Sequence, residues 1–144
     1  MDNYYTQKLS AERLRLCYEI APPRIIQYLE AEIDFVLAKI KTSDLVLELG
    51  CGYGRVLQEI LKKAKTVVGI DNAAASLRLG QEEMKRASSC YFLEMDAASL
   101  GFKQGQFNVV ICIQNGLSAF RVDRLRVIEE ALRVTCSGGT ILFS

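Results

Sequence analysis

Three carboxylates and a run of alternating glycines are the residues here with the chemistry to hold a charged ligand. Glu48 is the one polar side chain in the apolar run Leu45 to Leu49 and lies two positions before Gly50. Gly50, Gly52 and Gly54 follow, with Cys51 and Tyr53 between them and Arg55 directly after. Glycine has no Cβ, so the backbone can turn sharply and a ligand can approach it closely. Loop amides at a helix start suit an anionic group. A carboxylate at the strand tip repels a pyrophosphate and suits an ammonium or another cation. Asp71, about 20 residues further on, can accept bonds from both hydroxyls of a ribose. The alternative, less favoured beside such a loop, is a cap for the helix expected from Ala73. Asp96 closes a third apolar run, where it is either a ligand contact or a turn residue. Gln114-Asn115-Gly116 leaves a fourth run, and Asn-Gly is also an ordinary turn dipeptide.

These residues need strands ending beside one another. Leu45–Leu49 is a short apolar run of the kind found in buried parallel strands. Val56, Leu57, Ile60, Leu61 and Ala64 then recur at helical spacing. Further strands are expected over Thr66–Ile70, Cys90–Met95, Phe107–Ile113 and Thr140–Phe143, the last entered through a turn at Gly138-Gly139. Helices are expected over Ala73–Ala87 and Val122–Val134, the latter with Leu125, Ile128 and Leu132 inward. Ahead of them, Ser10 is placed to cap a helix reaching Ile20. Pro22-Pro23 breaks that helix and opens another running to about Ile40. Strands alternating with helices predict a doubly wound, mostly parallel α/β sheet of order 3-2-1-4-5. Ligands then bind at the carboxyl ends, where strands 1 and 4 diverge. Residues 1–41 read as an N-terminal helical cap or lid, and 42–144 as the ligand-binding part of one compact domain.

Composition narrows the chemistry. The 144 residues contain no histidine, which removes Ser-His-Asp and Cys-His catalysis and histidine-ligated metals. Cys17, Cys51, Cys90, Cys112 and Cys136 form no C-x-x-C pair, which argues against a zinc site and a disulfide framework. No metal is therefore expected, and free thiols fit a reducing cytoplasm. Net charge is +1 with no basic stripe, so no nucleic-acid footprint is visible. No apolar run approaches a membrane span.

E-L-G-C-G-Y-G resembles the acidic-x-Gly-x-Gly-x-Gly signature of class I S-adenosylmethionine-dependent methyltransferases. The resemblance extends from about Leu45 to Phe143. Its last part, A-L-R-V-T-C-S-G-G-T-I-L-F, is similar to the family's A-x-R-x-L-k-P-G-G-x-l-l, with Thr135-Cys136-Ser137 in place of Leu-Lys-Pro and Asn108 where the family usually has Asp. It implies S-adenosylmethionine as cofactor, contacted by Glu48, Gly50, Cys51, Gly52, Gly54, Asp71, Asn72, Asp96, Ala97, Gln114 and Asn115. Asp96 would accept from the adenine amino group and the Ala97 amide would meet a ring nitrogen. A side chain at Gly52 would fill the space next to the ligand. The only prolines are Pro22 and Pro23, so the Asp/Asn-Pro-Pro-aromatic and Pro-Cys motifs of base methyltransferases are missing. Gln114-Asn115-Gly116 is instead similar to the Asn-Ser or Asn-Gly step of small-molecule methyltransferases, so the resemblance implies a small-molecule acceptor. Tyr4, Tyr5, Tyr18 and Asn115 are candidate acceptor contacts, although the three tyrosines can simply pack the N-terminal helix. Methyl displacement from sulfonium needs little acid–base help, so no catalytic side chain is assigned.

Two other readings remain open at this stage. A nicotinamide-dependent oxidoreductase is opposed by Glu48 and by Arg55, which stands where the dinucleotide fingerprint needs glycine. A non-catalytic adenosine-binding subunit is the other. Ser144 follows directly on the fifth strand. The expectation is that further strands continue past it, or that this edge pairs with a second copy in a homodimer.

Overall fold

The structure is a computed structural model that describes residues 11–114, 117 and 123–144. Two helices come first, α1 (Glu12–Glu19) and α2 (Pro23–Lys39). Then follow β1 (Leu45–Leu49), α3 (Arg55–Leu61), β2 (Thr66–Asp71), α4 (Ala74–Glu83) and β3 (Cys90–Glu94). The chain ends with β4 (Phe107–Cys112), α5 (Arg124–Val134) and β5 (Thr135–Phe143). The five strands form one parallel sheet of order β3-β2-β1-β4-β5, as expected. Tyr4, Tyr5, Ser10 and Asn115 lie outside the described residues. No helix among the described residues is long and apolar enough to cross a membrane.

Strand alternation sends side chains to two cores. Val46 of β1, Val67 of β2 and Val109 and Ile111 of β4 meet α2, α3 and α4 on one face. Leu47, Leu49, Ile70, Val110 and Cys112 meet α5 and the segment after β3 on the other. Glu48 shares its face with Val46 and is as deeply buried as its apolar neighbours, at 4% exposure. Helix α2 packs through Leu29, Ile33 and Val36, and Ile40 caps that stripe.

Three expectations need correction. Helix α5 buries Val127, Ala131 and Val134, while Leu125 and Leu132 are 68% and 61% exposed. The helix carries two apolar stripes about a third of a turn apart, and periodicity cannot rank them. The neighbours select the smaller one. Asp123 caps the helix by accepting from the Leu125 amide, and Arg133 binds the carbonyls of Leu100 and Phe102. The second correction is the double glycine, which lies inside a strand. Thr135 pairs with Phe107 and Thr140 with Val109, so two steps along β4 face five along β5. The surplus forms a bulge, with Gly138 at φ 74. Helix α4 is also shorter than expected, ending at Glu83 rather than Ala87.

Candidate functional site

The carboxyl ends of β1, β2 and β4 converge on the glycine loop. The loop takes its shape from three left-handed residues, Gly50 (φ 76), Gly52 (φ 56) and Gly54 (φ 85), a conformation that side chains resist. Its amides are not the open anion cradle that the sequence suggests. Gly50 and Cys51 both donate to the Ile70 carbonyl at 2.9 Å, Gly52 donates to Asp71 Oδ2 at 2.8 Å, and Gly54 donates to the Cys51 carbonyl at 2.9 Å. Four of the five loop amides are thus spent on holding the loop to β2 and to itself. The Cys51 thiol turns inward to the core, where burial holds it protonated, its pKa well above the usual thiol value.

Glu48 sits behind the loop, fully desolvated. Burial pushes its carboxyl up to about 8, against the pull of the Arg55 guanidinium and with a further push from Asp71. Its Oε2 is buried and has no hydrogen-bond partner. A buried carboxyl oxygen without a donor costs free energy, so Glu48 weakens the fold that holds it.

Asp71 does two jobs at once. Oδ2 takes the Gly52 amide and Oδ1 takes the Ala73 amide at 2.8 Å, so one carboxylate ties the loop and holds the turn before α4. Burial raises its pKa, and its backbone bonds to Ala73, Gly52 and Asn72 work in the opposite direction. Asp71 is therefore not the helix cap: the N-cap is Ala73, without a side-chain bond, and Asp71 holds the turn ahead of it while fastening the loop. Asn72 beside it is exposed. The exit of β3 stays next to β2 through the Met95 amide, which donates to the Asp71 carbonyl at 3.1 Å. There Asp96 is exposed and holds its own turn by accepting from Ala98 at 2.8 Å, and Ala97 is buried.

Arg55 is the residue the sequence reading undervalued. Its guanidinium lies 4.5 Å from the centre of the Tyr18 ring and donates through Nη2 to Gln114 Oε1 at 2.7 Å. Its Nε is buried without a partner. Gln114, in the left-handed region at φ 61, also donates through Nε2 to the Leu29 carbonyl at 3.3 Å. It thereby joins α2, the β4 exit and the loop. The signal for Arg55 was its being the first cation after the glycines, which had been used only to exclude a dinucleotide.

Helix α1 lies across this site. Leu14 stands where a side chain at Gly52 would go, with Cδ2 3.0 Å from an added Cβ. Tyr18 tilts against Tyr53 at 6.3 Å, the Ala11 amide donates to buried Ser76 Oγ at 2.8 Å, and Arg15 pairs with Glu83 at 3.1 Å. None of the residues of α1 is buried. Cys112 is fully buried in β4 and its thiol is pushed up to about 12, so it is no nucleophile at neutral pH.

The family model described as a methyltransferase domain matches residues 46–139. Ubiquinone biosynthesis O-methyltransferase of Pseudomonas fluorescens is 30% identical over 101 residues, covering 69% of this chain and 43% of that protein. Among solved structures, the cyclase SpnF superposes with a TM-score of 0.74 at 22% identity, covering 81% of this chain and 45% of that one. A geranyl diphosphate methyltransferase in complex with GPP and sinefungin gives 0.68 at 19% identity, covering 78% and 44%. The chain therefore spans less than half the length of these relatives.

Proposed function

The chain belongs to the S-adenosylmethionine-dependent methyltransferase family, and from that premise we propose that it holds S-adenosylmethionine over the glycine loop for methyl transfer to a small-molecule acceptor. The observation that carries this reading is the buried, partnerless Oε2 of Glu48. An ammonium placed there would supply the missing donor and a compensating charge. The cofactor has such an ammonium, and its sulfonium supplies the transferable methyl.

The other residues fit the rest of the molecule. Asp71, braced by the Gly52 and Ala73 amides, would present its remaining lone pairs to the ribose hydroxyls. Asn72, Asp96 and Ala97 sit at the adjoining strand ends, where the adenine would lie. Gly50, Cys51 and Gly52 offer close approach of backbone to ligand, whereas Met84 and Phe92 fill the space beside Gly54. Gln114, with Asn115 after it, marks the side from which the acceptor comes. There an apolar groove of about 390 Å³ runs between α2 and the end of β5, lined by residues including Tyr28, Phe35, Ile113 and Phe143. Its size and walls suit a small organic acceptor.

Residues 1–41 act as the lid in this proposal. Helix α1 covers Gly52 and Arg55 without a buried residue of its own, so it can lift at low cost to admit cofactor. Tyr18 would then face the acceptor, and Tyr4 and Tyr5 are kept as candidate acceptor contacts. The edge of β5 that meets no further strand among the described residues is proposed to pair with a second copy. The five free cysteines and the absence of an apolar spanning helix among the described residues support a cytoplasmic setting.

Isothermal titration with S-adenosylmethionine and with S-adenosylhomocysteine tests the reading. Saturable heat with both is expected. No heat with either at millimolar ligand, from folded protein, overturns it. A radiolabelled methyl-transfer screen over small apolar acceptors then tests turnover.

A further inference from the structure

We propose that the groove between α2 and the end of β5 recognises a protonated amine, with Glu32 as the carboxylate that receives it and the apolar walls taking the body of the molecule. The inference rests on the reading above, which brings the acceptor to this groove and leaves open what the acceptor carries.

Glu32 is the one charged side chain among the described residues that line the groove. Polar groups set sparsely in an apolar pocket decide which ligand enters and how it lies. Tyr28 and Phe35 stand four positions before Glu32 and three after it, so all three share one face of α2. The two rings are 55% and 56% exposed, so α2 keeps them open on the groove rather than in a core. Ile113, at the β4 exit, joins this face to the side where the reading above presents the methyl group.

The carboxylate of Glu32 is only half satisfied. The Tyr28 hydroxyl donates to Oε1 at 3.2 Å, while Oε2 is buried and has no hydrogen-bond partner. Buried polar atoms in folded proteins are nearly always paired, so the orphan acceptor points to a ligand that brings a donor. The charge also lacks a counterpart. No ion pair among the described residues includes Glu32, and Lys39 lies over the Phe35 ring, 5.3 Å from its centre. Tyr28 feels that charge, since Glu32 is the main cause that raises its hydroxyl pKa. A neutral donor would satisfy Oε2 and leave the charge bare, whereas an ammonium answers both needs. The aromatic faces on either side favour a cation further. Tyr28 is a positioning residue in this scheme, fixing Oε1 so that Oε2 is left for the ligand. Both rings are exposed enough to turn at little cost and admit it.

The test titrates three probes into the whole chain with S-adenosylhomocysteine present: phenethylammonium, its uncharged counterpart 2-phenylethanol, and the anion 3-phenylpropanoate. Wild type is expected to bind the ammonium about tenfold or more tightly than the alcohol, the usual worth of a charge-assisted hydrogen bond, and the anion weakest of all. Glu32→Gln should erase the preference by weakening the ammonium alone. Tyr28→Phe, which frees Oε1 and keeps the carboxylate, should retain it. Equal binding of ammonium and alcohol by wild type overturns the proposal, as does binding of none of the three probes. An unchanged preference in Glu32→Gln overturns it too, and so does an equal loss of both ligands, which would mark Glu32 as a structural support. If Glu32→Gln does not fold, Glu32→Asp decides, since its shorter carboxylate should reduce the preference and an undiminished one overturns the proposal. Saturable S-adenosylhomocysteine binding without an amine preference overturns this proposal alone, whereas failure of S-adenosylhomocysteine to bind overturns the cofactor reading and this proposal together.

Discussion

Glu130 and Arg133 lie one turn apart on α5 and close on each other completely. Arg133 donates through Nε to Glu130 Oε1 at 2.7 Å and through Nη2 to Oε2 at 2.8 Å, then reaches the carbonyls of Phe102 and Leu100 at 2.7 and 2.8 Å. The Leu100 amide returns a bond to Glu130 at 2.6 Å. Glu48 and Arg55, the corresponding pair at the glycine loop, stop short of each other and each keeps a buried orphan atom. The Arg133 hydrogen bond brings the Glu130 carboxyl down to about 2, while burial pushes that of Glu48 up to about 8. The first pair spends its polarity on fastening the segment between β3 and β4 to α5. The second holds its polarity in reserve, at a cost to the fold. A glutamate–arginine pair is thus not functional by its residue types. The unsatisfied atoms distinguish the two.

The sharpest way to break this comparison is Glu48→Leu. Cofactor affinity should fall by about 3 kcal/mol, roughly 150-fold, the upper range for a hydrogen bond to a charged group. The fold should become more stable, because a buried partnerless carboxyl is replaced by an apolar side chain of similar size. Calorimetry and thermal melts measure the two together, and a destabilised Glu48→Leu protein would show that Glu48 supports the fold.

Asp71→Ala lies between the two extremes, because Asp71 both fastens and faces the site. It should cost about 1.5–3 kcal/mol in cofactor binding and also lower stability, since the Gly52 and Ala73 amides lose their acceptor. Unchanged affinity with lost stability would reduce Asp71 to a structural brace.

The two glutamates should also bend the pH dependence of stability in opposite directions. Glu130 titrates in the fold at about 2, below its ordinary 4.5, so its contribution is present above 4.5 and fades as pH falls towards 2. Glu48 titrates at about 8, above 4.5, so its contribution is complete below 4.5 and fades as pH rises to 8. The raised pKa of Asp71 leans the same way as Glu48. Urea midpoints across pH should fall on both sides of a weakly acidic maximum. Glu48→Gln should flatten the alkaline limb and Glu130→Gln the acidic one.

The smallest effect on the site is expected from Arg133→Met. It should lower the melting temperature, because the Leu100 and Phe102 carbonyls and Glu130 lose their donor, yet leave cofactor affinity at the wild-type value. A change in affinity would mean that the α5 clamp reaches the ligand.

The alternation of strand and helix, the sheet order, Glu48 and the three glycines were all legible in the residues, because they depend on local rules. A buried strand needs an apolar run, a left-handed loop needs residues without a Cβ, and parallel crossovers have one hand. Most element bounds followed to within a residue or two. The face that α5 buries, the bulge at Gly138 and the occupied state of the loop amides depended on neighbours distant in sequence, and only packing decided them. Arg55 shows the limit most clearly. Its type and position were visible, but a charge becomes significant for binding when its partners fail to satisfy it. Satisfaction is a property of three-dimensional contacts among β1, α1, α3 and the β4 exit, which no one-dimensional pattern contains.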